Sequence, residues 1–367
     1  MPVRPPRPLD GILVLDFSTL LPGPMAGLIL AEAGAEVIKI ERAGHGDEMR
    51  GTLRTGVVTD SSNFVMLNRG KRSIAIDLKQ PGAVARLHPL LQRADILIEQ
   101  FRPGVMDRLG LGAAAVATIN PRLIYCSITG YGQHGPKSQL AGHDLNYMAE
   151  AGLLSVISGP DGAPPLPPAL LADIGGGTYP AVINVLLALQ LRHATGRGCH
   201  LDIAMHDNLF SFLYWALAQG WCTGNWPGAN SGTTTGGSPR YRIYRMADGR
   251  FLAAAPLEDR FWREFCDVIG VATSATHAEV ADRIGAHDSA EWTSRFAGRD
   301  VCCAIVASIA EAAADPHLAA RGIFNHTVAA NGRDVPALPV PVVPQFRAPT
   351  QSSNSPALGE ANHLLGA

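Results

Sequence analysis

The chain has 367 residues, 47% hydrophobic and 17% charged, enough apolar material for one large packed domain and a smaller one. With 30 Lys+Arg against 32 Asp+Glu the formal charge is -2, and so even a balance gives no field for a polyanion, which disfavours nucleic-acid binding. The six cysteines, Cys126, Cys199, Cys222, Cys266, Cys302 and Cys303, form no C-x-x-C pair and no zinc-ligand spacing, so reduced thiols in a cytosolic protein are expected.

The opening Met1-Pro-Val-Arg-Pro-Pro-Arg-Pro has no apolar stretch of the secretory kind, and the expected location is cytoplasmic. From residue 10 to residue 130, strand-length apolar runs alternate with helical patterns: GILVLDF, PMAGLILAEAG, AEVIKIE, IAIDLK, VARLHPLLQ, DILIEQF and LIYCSI. Strand and helix repeated at this spacing predict an α/β fold with a parallel sheet. Gly175 to Leu191 predicts a further helix, and HLDIAM followed by DNLFSFLYWALAQ a strand and a helix. The apolar stretches Pro180 to Leu191 and Leu209 to Leu217 are too short to cross a bilayer and predict buried helices, so no membrane partner is expected. Gly, Asn, Ser, Thr and Pro crowd Thr223 to Pro239, a linker or site loop. After it, YRIYRM, a turn at Asp248-Gly249 and RFLAAAP predict a hairpin, and FWREFCDVIG and CAIVASIAEAAA predict helices. Val335 to Pro344 carries four prolines and reads as extended chain packing back on the larger domain. The expected organisation is a large α/β domain over 1–222, a linker over 223–239, a small α+β domain over 240–325, and a returning tail over 326–367.

The segment VLDFSTLLPGPMAGLILAEAGAEVIKIE has the strand, turn, helix and strand of a dinucleotide fold, but Pro22-Gly23-Pro24 and Gly27 replace the G-x-G-x-x-G turn, which argues against a nicotinamide or flavin enzyme. Cations recur near strand ends at Arg42, in Asn68-Arg69-Gly70-Lys71-Arg72, and at Arg102; singly each fits a solvated surface charge, and as a set they suit a phosphate-rich ligand. His143 and Asp144 precede a helical pattern, where free N–H groups could hold an oxyanion; equally, Asp144 is a cap and His143 a satisfied polar residue. Asp173, after an apolar run and before three glycines, is either a reactive acid with close backbone approach or an N-cap. His200, Asp202 and His206 cross from strand to helix and offer no compact metal face, and Glu258 ends a strand.

Together these segments resemble the family III coenzyme A transferases (the CaiB/BaiF group), and within it the α-methylacyl-CoA racemase branch. Nearly the whole chain takes part: the strand–helix–strand segment above, NRGKRSIAIDLK, ADILIEQFRPGVMDRLGLG, PRLIYCSITGYGQHGP, DPHLAARGIF and PALGE. The branch is marked by Gly142-His143-Asp144-Leu145-Asn146-Tyr147, by Leu170-Leu171-Ala172-Asp173-Ile174-Gly175-Gly176-Gly177, by Glu258, and by Gly236-Gly237-Ser238-Pro239. Departures are NRGKRS, Ser238 and the Leu-Glu-Asp around Glu258, which leave the acyl specificity open.

The resemblance implies a large Rossmann-like parallel-sheet domain plus a small α+β domain in an interlocked homodimer. It implies coenzyme A, carried as part of the substrate, at Arg42, Asn68, Arg69, Gly70, Lys71, Arg102, Gly142, Asp144, Leu145, Asn146 and Tyr147, with no metal and no permanently bound cofactor. His143 and Asp173 would be two bases on opposite faces of the α-carbon of an acyl-CoA, with Glu258 tuning His143 from the partner chain. The competing readings are a coenzyme A transferase in which Asp173 attacks the thioester, and a non-catalytic acyl-CoA binding protein.

Overall fold

Six strands, β1 (Leu13–Asp16), β2 (Glu36–Glu41), β3 (Arg72–Ala75), β4 (Ile96–Glu99), β5 (Ile124–Thr129) and β6 (His200–Ala204), form one sheet in the order β3-β2-β1-β4-β5-β6. Every neighbouring pair is parallel, with Val14 opposite Val37 and Ile96, and Glu99 opposite Ser127. β1, β4 and β5 are buried along their whole length, as continuous apolar runs in a parallel sheet should be when helices cover both faces. The computed structural model describes residues 6–52, 61–330, 333–349 and 352–366.

The connections are helical: α1 (Pro22–Glu32), α2 (Ser62–Asn68), α3 (Ala83–Arg93), α4 (Val105–Arg108), α5 (Ala113–Ile119), α6 (Asp144–Glu150) and α7 (Tyr179–Thr195). α1 starts on Pro22 and Pro24, whose fixed φ suits a first turn that has no N–H partner anyway. Leu15, Ile38, Ile74 and Leu97 of the sheet pack with Leu87 and Leu91 of α3 and Val116 of α5.

α7 is longer than its apolar run implies. A π-helical stretch, Ala172–Thr178, precedes it, and the two make one 24-residue helix whose most apolar 18 residues have a mean hydropathy of 1.4, long and apolar enough to cross a membrane by those measures, contrary to the short-span expectation. One side packs on α1, β5 and β6, while Ile183, Leu186, Leu187 and Leu191 are exposed, so it is not the fully buried helix expected.

The chain divides into a first unit, Met1–Ala151, Pro168–Ser211 and Arg321–Ala367, and a second, Gly152–Pro167 and Phe212–Ala320. This differs from the sequence boundaries at 152–167, 212–222 and 321–325; the first two follow because Leu153 and Val156 pack with Leu213, Trp215, Ala216 and Leu217. After α8 (Met205–Asn208), α9 (Tyr214–Thr223) lies in the second unit. There β7 (Arg242–Arg245) and β8 (Phe251–Ala254) form the expected hairpin, while Cys303–Ile305, expected as helix, is β9, paired antiparallel with β8. Trp262, Phe265 and Ile269 of α10 (Asp259–Ile269) pack with Trp292 of a later helix over this sheet. The tail rejoins the first unit: Ala361 N–H bonds to Ser73 O at 2.8 Å, and Gly366 N–H to Arg86 O at 2.9 Å.

Candidate functional site

The strand order reverses between β1 and β4, so the loops leaving these strands diverge and open a crevice at the carboxyl ends of the sheet, where ligands of open α/β sheets bind. A cavity of about 430 Å3 lies there. Its walls are Thr19, Leu20 and Pro22 after β1, Gln100 to Pro103 after β4, Gly130 after β5, the start of α6, and Asp173. Of the site residues expected from sequence, His143, Asp173, Arg102, Gly142, Asn146 and Tyr147 all line this one cavity.

His143 is the exposed residue immediately before α6, and its N–H donates to Asn146 Oδ1 at 3.0 Å. Tyr147, buried, donates its hydroxyl to Gly142 O at 2.6 Å. A Cβ at Gly130 or Gly142 would meet the Tyr147 ring within 2.7 Å, so both glycines are needed for the ring to lie between them. Burial, followed by the nearby Asp173 charge, pushes the Tyr147 phenol up to about 12.

Asp144 does cap a helix, but not its own. Its buried Oδ1 accepts the N–H of Ala172 at 2.7 Å and of Asp173 at 3.0 Å, so it fastens the first turn of the long helix to the start of α6. Asp144 thereby positions Asp173. The glycines after Asp173 serve close approach, to the protein itself: a Cβ at Gly176 would sit 2.4 Å from Met205 O, and one at Gly177 3.0 Å from Met205 Cγ. Thr178 Oγ1 then donates to Pro22 O at 2.8 Å, tying this helix to the loop after β1. The Asp173 carboxyl is raised to about 6 by burial and then by the Asp144 charge, with His143 pulling the other way.

The Asn68 to Lys71 segment departs from the expected coenzyme A role. Lys71 is buried with three acceptors of its own chain: Asp16 Oδ2 at 2.9 Å, Pro24 O at 2.8 Å and Asn68 Oδ1 at 2.9 Å. Burial lowers its pKa to about 8 despite Asp16. Arg69 is buried against Glu32 Oε1 at 2.9 Å and donates to Met66 O and Leu338 O. Gly70, exposed at φ 73°, donates its N–H to Asn354 O at 2.8 Å. A second buried lysine, Lys39, holds Ser18 O at 2.7 Å and pairs with Asp47 at 2.8 Å, and Asp47 Oδ1 accepts Leu20 N–H at 3.2 Å. The two lysines pin the Ser18 to Pro24 loop at both ends and hold Leu20, a pocket wall, at φ 61°, a conformation a branched side chain rarely takes unaided. Their role is to shape the wall. Arg42 is exposed beyond β2, and Leu145 is exposed on α6; neither lines the cavity. Glu258 is an exposed residue of the second unit, just ahead of α10. Gln100, Phe101 and Leu20 were not anticipated; the turn-over of strand order between β1 and β4 is the signal that would have found them. No cluster of His, Cys, Asp or Glu suited to a metal occurs among the described residues.

The model of CoA-transferase family III matches residues 9–362. The chain belongs to this family. Among family III relatives, the α-methylacyl-CoA racemase of Mus musculus is 35% identical over 96% of this chain and 91% of its own length. The acetyl-CoA:oxalate CoA-transferase of Acetobacter aceti is 34% identical over 99% of this chain and 96% of its own. The crystal structure of a CaiB/BaiF family protein from Brucella suis superposes with a TM-score of 0.83 at 29% identity, covering 98% of both chains. Family III thus contains both reactions at similar distance from this chain, and the fold, a large parallel sheet with a smaller mixed unit, is that of its solved members.

Proposed function

We propose that this family III enzyme is an α-methylacyl-CoA racemase, and the observation that carries the reading is that His143 and Asp173 face one cavity with the Asp173 carboxyl raised to about 6. A carboxyl so placed exchanges its proton near neutral pH, which a group acting alternately as acid and base requires. A thioester carbonyl acidifies its α-hydrogen. In one direction His143 removes that hydrogen as a proton, the C–H electrons form an enolate, and Asp173 delivers its own proton to the opposite face; in the other direction the roles exchange. N–H groups opening α6 hold the enolate oxygen, and Arg102 on the wall holds a coenzyme A phosphate. Coenzyme A arrives as part of the substrate, and no metal or resident cofactor takes part.

The acting form is a homodimer, with Glu258 of one chain orienting His143 of the other. The exposed apolar row Ile183, Leu186, Leu187 and Leu191 supports a covered α7. The second reading is a coenzyme A transferase in which the Asp173 carboxylate attacks the thioester carbonyl and expels coenzyme A thiolate as an acyl anhydride forms; the transferases among the relatives favour it.

The test is incubation of one epimer of a 2-methylacyl-CoA in heavy water without an acyl acceptor. Deuterium uptake with loss of stereochemical purity, abolished by His143→Ala and by Asp173→Asn, supports the racemase. Transfer of coenzyme A to an added carboxylate without exchange, surviving His143→Ala, overturns it.

A further inference from the structure

A second cavity, about 330 Å3, shares only Arg102 and Pro103 with the first among its lining residues. Glu99 of β4, Ser127 of β5 and His200 of β6 line it from the sheet, on one face because Glu99 pairs with Ser127 and Tyr125 with His200. Glu99 is only 4% exposed. One of its carboxyl oxygens accepts Phe101 N–H at 2.8 Å, and Ser127 also hydrogen-bonds the carboxyl. Ser127 Oγ in turn lies 2.9 Å from His200 Nε2.

The charges acting on Glu99 are carboxylates, Asp107 of α4 and Asp202 of β6. Tyr125 and Cys126 of β5, together with His200, His134 and exposed Arg102, which line the same cavity as Tyr125, are the further titratable and charged groups around it. Burial, with the Asp107 and Asp202 charges and against the hydrogen bonds from Ser127 and Phe101, holds the Glu99 carboxyl up to about 7.

The chain can run two ways. With Glu99 ionised, His200 Nε2–H donates to Ser127 and Ser127 to the carboxylate. With Glu99 protonated, the carboxyl donates to Ser127 and Ser127 to the unprotonated Nε2. In both states Phe101 N–H keeps its acceptor, but the bond to the charged form is the stronger. Phe101 lies in the Gln100 to Pro103 wall of the reaction cavity, and Gln100 Oε1 accepts Gly23 N–H at 3.0 Å, joining that wall to the first turn of α1.

We propose that Glu99 is a positioning residue of the acyl-CoA pocket, holding the Gln100 to Pro103 wall through Phe101 N–H and exchanging its proton through Ser127 and His200 with the second cavity. The proposal rests on the reaction cavity being the acyl-CoA site.

The test uses free coenzyme A as probe and compares full-length wild type with Glu99→Gln, which keeps an acceptor for Phe101 N–H but cannot ionise. The ratio of their Kd values, in which the ligand's own titration cancels, is expected to be about five at pH 8 and to approach one at pH 6. Without ligand, the Phe101 amide is expected to exchange faster in Glu99→Gln at pH 8 only. Ser127→Ala keeps the carboxylate but removes a donor that favours it, and should move the transition in Kd to higher pH. A ratio of one at both pH values, or the same loss at both, overturns the proposal. If wild type binds neither coenzyme A nor an acyl-CoA, the pocket reading fails and the role with it, whereas a pH-dependent Phe101 exchange would still show the tether.

Discussion

Asp173→Asn should make the fold more stable while it stops the reaction. In the folded chain the carboxyl holds its proton to about 6, against an ordinary value of 3.8, because it is mostly buried and lies near Asp144. The unfolded chain releases that proton first as pH rises. Stability therefore falls from pH 3.8 upward, and the whole cost is present above about 6. At about 1.4 kcal/mol per tenfold change, the ionised group costs at most about 3 kcal/mol at pH 8 and about half of that at pH 5, with solvent at the cavity mouth trimming both. Asparagine has the same shape and never ionises, and the backbone N–H at this position keeps its bond to Asp144. The variant should gain about 2 kcal/mol over wild type at pH 8 and about 1 kcal/mol at pH 5, read from urea melts with equal slopes. A gap that stays the same at both pH values, or an asparagine variant less stable at pH 8, would refute the idea that burial of this carboxyl is a standing cost of the site.

Asp144→Ala removes the acceptor of two N–H groups and should cost about 2–4 kcal/mol in a urea melt. Because it also removes a like charge, the acid limb of the pH–rate profile that reports Asp173 should move to lower pH. Lys71→Met removes the ion-pair partner of buried Asp16, leaving it the Ser18 hydrogen bonds, and should cost about 3 kcal/mol, measured by denaturation, a loss that a surface phosphate ligand would not show. Arg102→Ala, at an exposed position, should raise KM for an acyl-CoA about tenfold with kcat within about twofold, and the difference should shrink in high salt.

β1, β4 and β5 were legible because each is a short, mostly apolar run between turn signals, and burial on both faces is what such runs are for. Cys303–Ile305 misled because a strand-length apolar piece fused to an alanine-rich helix carries one continuous pattern, and only pairing with β8 separates them. His143, Asp173 and Tyr147, singled out by their local setting at a helix start and before glycines, line one cavity. Lys71 and Arg69 show the opposite case, with side-chain partners within the chain to which local sequence does not point. A lysine in a turn looks the same whether its partner is a phosphate in solvent or, as here, a carboxylate 55 residues earlier in the chain and buried with it. Asp144 was placed at the right helix end, but its carboxylate serves backbone 28 and 29 residues further on. His143, Asp173 and Tyr147 are thus brought to the cavity from positions that local sequence marks, whereas the groups that hold them in place act across the fold. The loop at the carboxyl end of β1 owes its shape to buried carboxylates and lysines whose pairing only the folded sheet creates.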